Sequence, residues 1–170
     1  TELLLEGGPS AITMDGVVAR SGVAKSTLYR HWPTRDALVI DVFSHIAPKL
    51  GVLTLHMKDF TRDPVALKAL EEDPLTLGET QPAMTVAALV RADERLHDSF
   101  GQIVLPVLIM HGTADKATVC RGSEFFHEHA GSRDKTLKLY EGHYHDLLND
   151  IGKEGVMADI TAWIDKRLPA

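Results

Sequence analysis

The stretch Val104–Asp115, VLPVLIMHGTAD, decides the fold class. Val104–Met110 is an almost continuous apolar run that ends in a His–Gly pair, the composition of a short strand covered on both faces, as in a parallel sheet. TLKLY, Thr136–Tyr140, reads as a second strand. Helices fit the gap between them, Gly122–Ala130, and the tail, Lys153–Leu168, where Val156, Ile160, Trp163 and Ile164 share one side. Strands alternating with helices at this spacing predict an α/β arrangement for this half of the chain.

Upstream the text changes style. Up to about residue 46 it reads as short helices: the end of one, with Leu3–Leu5, closing at Gly7–Gly8; a second opened by Thr13 as N-cap; a third over Ala24–Trp32; and a fourth after Pro33–Thr34 carrying Leu38, Val39 and Val42 on one side. Residues 47–77 are rich in Pro, Asp and Leu and hold one short helix, Pro64–Glu72, stopped by Asp73–Pro74. An amphipathic helix follows from Pro82 to about His97, with Val86, Leu89, Val90 and Leu96 set against Arg91, Asp93 and Glu94. The chain opens at Thr1 already inside an apolar helical pattern, which implies further residues upstream.

Composition bounds the function. At 170 residues, 44% hydrophobic, the chain can bury one ordinary core or two small ones. A net charge of -6 excludes a surface built throughout for phosphate, so any nucleic-acid contact must come from a local patch. The single cysteine, Cys120, excludes an intrachain disulfide and, with no apolar run of membrane-spanning length and no leader-like N-terminus, suggests a cytoplasmic protein. No phosphate loop or dinucleotide fingerprint occurs, so no cofactor is expected. The pairs His127/His129 and His143/His145 do not suggest a metal, because the first lies on a helix where i and i+2 diverge.

Two constellations carry chemistry. In Ser21–Trp32, a Gly22 turn separates two short helices, and Lys25, Ser26, Tyr29 and Arg30 share one face of the second, a set suited to phosphate oxygens and base edges. The alternative is a helical hairpin with a solvated polar side. TMDGVVARSGVAKSTLYRHWPTRDALV, Thr13–Val39, resembles the helix-turn-helix of the tetracycline-repressor (TetR) family. The resemblance implies Thr13 near a phosphate, Lys25, Ser26 and Thr27 in the major groove, Tyr29, His31 and Arg35 on the DNA backbone, and Arg30 free to read a base. Val18 departs from the usual alanine, and without the family's dimerisation domain only weak binding to duplex DNA is expected, roughly 10⁻⁴ to 10⁻⁶ M.

The rest resembles a different family. APKLGVLTLHMKDFTRDP (Ala47–Pro64), PVLIMHGTADKAT (Pro106–Thr118) and LKLYEGHYHDLLND (Leu137–Asp150) are similar to the cap and C-terminal part of bacterial monoacylglycerol lipases of the α/β-hydrolase fold. The resemblance implies that Asp115 is the acid and His145 the base of a catalytic triad. The nucleophile is none of this chain's serines, because no G-x-S-x-G elbow occurs; GGPSA and RGSEF fail on spacing. Without that serine a loss on the order of 10⁶ in kcat is expected. The expected architecture is therefore mixed α+β and α/β: an N-terminal helix-turn-helix bundle (1–46), cap-like helices (47–100) and a C-terminal hydrolase segment (101–170) with two parallel strands. Expected partners are duplex DNA, weakly; an acylglycerol or ester substrate only in a completed hydrolase; and a second copy of the chain, which would cover the unpaired edge of the apolar strand.

Overall fold

The computed structural model describes residues 2–7 and 9–168. Gly8, expected to help close the first helix, and the side chain of Leu5 lie outside the described residues. In chain order the elements are α1 (Glu2–Gly7), α2 (Met14–Ser21), α3 (Lys25–His31), α4 (Arg35–Ile46), β1 (Gly51–Thr54), α5 (Pro64–Glu72), β2 (Thr80–Pro82), α6 (Ala83–Ser99), β3 (Val107–Gly112), α7 (Cys120–His129), β4 (Lys135–Tyr140) and α8 (Lys153–Asp165), with short 3-10 turns between some of them. They form two compact units, Thr1–Thr54 with Thr80–Glu94, and Leu55–Glu79 with Arg95–Ala170.

The first unit is organised by capped helices around a small apolar centre. Thr13 accepts the Gly16 amide at 3.0 Å and starts α2. Gly22 stops it with φ +69°, a conformation that favours glycine, as its N–H closes onto the Val18 carbonyl. Thr34 accepts the Ala37 amide at 3.1 Å and starts α4. Ile12, Met14, Leu28 and Leu38 are buried together, with Leu3, Leu4, Val17, Val18, Trp32, Val39 and Val42 around them. The apolar face of α6 holds in part: Ala83 and Ala87 are buried and Val86 and Val90 half-buried, whereas Leu89 and Leu96 are exposed. The antiparallel pair of β1 and β2, irregular between Gly51 and Leu53, is an element missing from the sequence reading.

In the second unit β3 and β4 run parallel in unbroken register, from Val107 opposite Lys135 to Gly112 opposite Tyr140. β3 starts three residues later than the apolar run. Pro106 has no N–H to give a ladder, and the first bond comes from the Val107 amide to the Asp134 carbonyl at 3.0 Å. Val104 and Leu105 accordingly stay outside the sheet, 66% and 75% exposed, while Ile109 and Gly112 are the strand's buried positions. α7 connects the strands, and Phe100 stacks on its Phe126 at 4.8 Å. α8 buries Val156 and is tied to β4 by Trp163 Nε1, which donates to Thr136 Oγ1 at 3.1 Å, and by Tyr140, whose hydroxyl donates to Asp159 at 3.0 Å. Burial and that carboxylate push the Tyr140 hydroxyl up to about 12. No helix among the described residues is long and apolar enough to cross a membrane.

Candidate active site

Asp115 sits in the turn after β3, its side chain 3% exposed. Two amides of the same turn serve Oδ1, Ala117 at 2.7 Å and Thr118 at 3.0 Å, while the Thr118 hydroxyl donates to Oδ2 at 2.7 Å. His145 Nδ1 lies 2.9 Å from Oδ2. Burial alone pushes this carboxyl up, but the Thr118 amide, His145, the Thr118 hydroxyl and the Ala117 amide outweigh it and bring it down to about 2. The group is thus an anion at any ordinary pH, with an imidazole on one oxygen.

Backbone zippering brings the two residues together from 30 positions apart. The Thr113 amide donates to the Tyr140 carbonyl at 2.9 Å and the Ala114 amide to the His143 carbonyl at 3.0 Å, while the Gly142 amide donates to Thr113 Oγ1 at 2.8 Å. This approach requires glycine at the end of β3, since a Cβ on Gly112 would lie 2.2 Å from the His143 carbonyl oxygen. A second lock holds the loop that carries His145. Asp150, fully buried, accepts the Tyr144 amide at 2.8 Å, the Arg62 amide at 2.7 Å and Arg62 Nε at 2.9 Å. Burial raises the Asp150 carboxyl, and these donors with the Ile151 amide bring it below its usual value. Phe60 meets the His145 ring edge-on at 5.2 Å, and its carbonyl accepts the Asp146 amide at 2.8 Å. Among the described residues nothing bonds His145 Nε2, and the ring is 37% exposed, so that nitrogen is open to a reacting group.

Sequence reasoning named Asp115 and His145 but missed Thr118, His111, Arg62 and Asp150. The ND of LLND and the TRD of FTRDP were in view as motif letters only; their pairing spans 88 residues and leaves no local pattern. Cys120 begins α7, where burial first, then Glu124 and Asp115, push its thiol up and away from the reactive thiolate form. Among the described residues no three His, Cys, Asp or Glu side chains converge as a metal site would require.

The residues expected to contact DNA lie on the surface of the first unit, and several are already engaged within it. Thr13 caps α2. Lys25 is paired with Asp15 at 2.7 Å and lies over the Tyr29 ring at 5.9 Å. Arg35 Nε donates to the Ile12 carbonyl at 2.8 Å and its guanidinium approaches Asp36 at 3.5 Å. Thr27 is half-buried, whereas Ser26, Tyr29, Arg30 and His31 are exposed.

Residues 7–152 match the family model described as serine aminopeptidase, S33. A caffeoylshikimate esterase of Arabidopsis thaliana is 36% identical over 63% of this chain and 33% of its own length. A monoacylglycerol lipase of Mycolicibacterium smegmatis is 29% identical over 76% of this chain and 46% of its own. Among solved structures, the Paleococcus ferrophilus monoacylglycerol lipase superposes with a TM-score of 0.65 at 31% identity, covering 77% of this chain and 51% of that one. The chain therefore spans a third to about half of the length of these relatives. None of the three supports the DNA-binding reading of residues 1–46, and the family match runs through most of that segment. Asp115 after β3 and His145 after β4 stand on the frame of an α/β hydrolase, and the chain belongs to the serine aminopeptidase, S33, family.

Proposed function

We propose that this chain supplies the acid and the base of a carboxylic-ester hydrolase of the monoacylglycerol-lipase kind, and that the nucleophilic serine comes from a part outside this sequence. One observation carries the reading: the buried Asp115 carboxylate faces His145 Nδ1 at 2.9 Å while His145 Nε2 has no partner among the described residues. In such a site Nε2 takes the proton of the attacking serine, Asp115 holds the ring in its Nδ1–H tautomer and stabilises the imidazolium, and the same nitrogen returns the proton to the leaving alcohol. Water then repeats the cycle on the acyl-enzyme. The names of the relatives support a carboxylic ester, acylglycerol first, as the substrate class.

The test uses the whole chain. Alone, it releases no nitrophenol from short-chain nitrophenyl esters and takes up no fluorophosphonate probe. Stoichiometric labelling of any of its serines, Ser123 included, contradicts the proposal and makes the chain an enzyme in its own right.

A second reading concerns residues 1–46. The observation favouring it is that α3, entered through the left-handed Gly22, leaves Ser26, Tyr29, Arg30 and His31 exposed. In this reading the segment is a TetR-like helix-turn-helix that binds duplex DNA weakly through these side chains. The Lys25–Asp15 pair and the engaged Arg35 work against it.

A further inference from the structure

A second imidazole reaches the acid. His111, the fifth residue of β3, places Nε2 3.0 Å from Asp115 Oδ2, with its side chain 10% exposed. Its Nδ1 lies 2.7 Å from the hydroxyl oxygen of Ser123 on α7. Asp115 Oδ2 therefore has three neighbours at hydrogen-bonding range: the Thr118 hydroxyl at 2.7 Å, His145 Nδ1 at 2.9 Å and His111 Nε2 at 3.0 Å. The three come from the acid's own turn, from the loop after β4 and from the strand beneath.

A neutral imidazole carries its proton on one nitrogen and a lone pair on the other. A lone pair on Nε2 would face a carboxylate anion at 3.0 Å and be repelled, so the proton belongs on Nε2 and leaves Nδ1 as an acceptor. That acceptor is filled by the Ser123 hydroxyl, which can donate to it and so selects the tautomer. We propose that His111, held as the Nε2–H tautomer by Ser123, is a positioning residue for the acid: it fixes Asp115 Oδ2 so that this oxygen faces His145 Nδ1. Without it, Oδ2 keeps only the Thr118 hydroxyl beside His145, and the carboxylate, still held at Oδ1 by the Ala117 and Thr118 amides, is aimed less firmly at His145. The proposal rests on the reading of Asp115 and His145 as acid and base.

Long-range ¹H–¹⁵N correlation spectra of the intact ¹⁵N-labelled chain test it, because they report which ring nitrogen carries each proton. In the parent protein His145 reads as Nδ1–H and His111 as Nε2–H. In His111→Leu the Nδ1–H share of His145 falls, and in His111→Gln, whose amide can still donate to Oδ2, it is largely kept. Ser123→Ala removes the donor to Nδ1 and lowers the Nε2–H share of His111 while the Asp115 contact remains, so the test survives if His111→Leu does not fold. Finding His111 as Nδ1–H in the parent overturns the proposal. So does a His145 pattern identical in parent and His111→Leu, or a His111 unaffected by Ser123→Ala. A parent His145 that is not Nδ1–H instead overturns the acid–base reading beneath it.

Discussion

Asp115 in the second unit and Lys25 in the first are both charged side chains that sequence patterns single out, and the structure treats them in opposite ways. The Asp115 side chain is buried and drawn on by two amides and a hydroxyl of its own turn and by two imidazoles, one from β3 and one from the loop after β4. Lys25 is more than half exposed, and its ion pair with Asp15 is a solvent-screened surface contact that contributes little. A carboxylate in the first setting has its charge, orientation and partner fixed before any ligand arrives. A lysine in the second has a charge and little else, and surface cations of that kind occur on proteins that never meet DNA. A site is thus recognised by convergence and burial, whereas an exposed face of suitable residues is recognised only by composition.

The largest effect is expected where the convergent region loses a partner. Asp150→Ala leaves Arg62 and the Tyr144 amide without their buried acceptor and is expected to lower the unfolding free energy by roughly 3 to 5 kcal/mol. Urea unfolding followed by circular dichroism measures it. A loss under about 1 kcal/mol, the range of a surface pair, would place Arg62–Asp150 with the exposed contacts.

Acid acts on the buried carboxylates, with a smaller effect. Asp115 is held near 2, below its usual value of 3.8. A depressed carboxyl contributes stability above its unfolded value, and that contribution is lost as pH falls through the folded one. Between about pH 4 and pH 2 the chain should therefore lose roughly 2 kcal/mol from this group, with Asp150 acting in the same direction. Asp115→Asn is expected to flatten that part of the stability profile. An unchanged profile would mean that the convergent donors do not hold the charge.

The smallest effect is expected on the exposed face. Fluorescence anisotropy with mixed duplexes at low salt is expected to show, at most, binding in the range of roughly 10⁻⁴ to 10⁻⁶ M that weakens steeply as salt rises. Lys25→Ala with Arg30→Ala removes it if the TetR-like reading holds. Binding tighter than this, with a base preference lost in Arg30→Ala, would turn the comparison around.

How much of this could be read from letters follows the same division. The parallel strands were legible because Val107–Met110 is apolar and short and Leu137–Tyr140 alternates around Lys138, whereas Asp115 and His145 were named through the hydrolase resemblance of the motifs that follow each strand. The start of β3 was misplaced because apolar pattern outvoted Pro106, which cannot donate to the ladder. β1 and β2 escaped notice because GVLT and TQP show no alternation, and one of them ends in proline. Thr118, His111, Ser123, Arg62 and Asp150 were illegible as a set. Their roles are contacts across the fold, and nothing in the local pattern around Arg62 points to Asp150.

Grafting decides whether Asp115 and His145 work as acid and base. Residues 104–150 of this chain would replace the corresponding segment of the Mycolicibacterium smegmatis monoacylglycerol lipase, which it resembles, and hydrolysis of a monoacylglycerol would be followed. An active graft is expected, with a kcat that falls by about 10⁴-fold or more in His145→Ala and about as far in Asp115→Asn. A folded graft whose activity is indifferent to either substitution would contradict it.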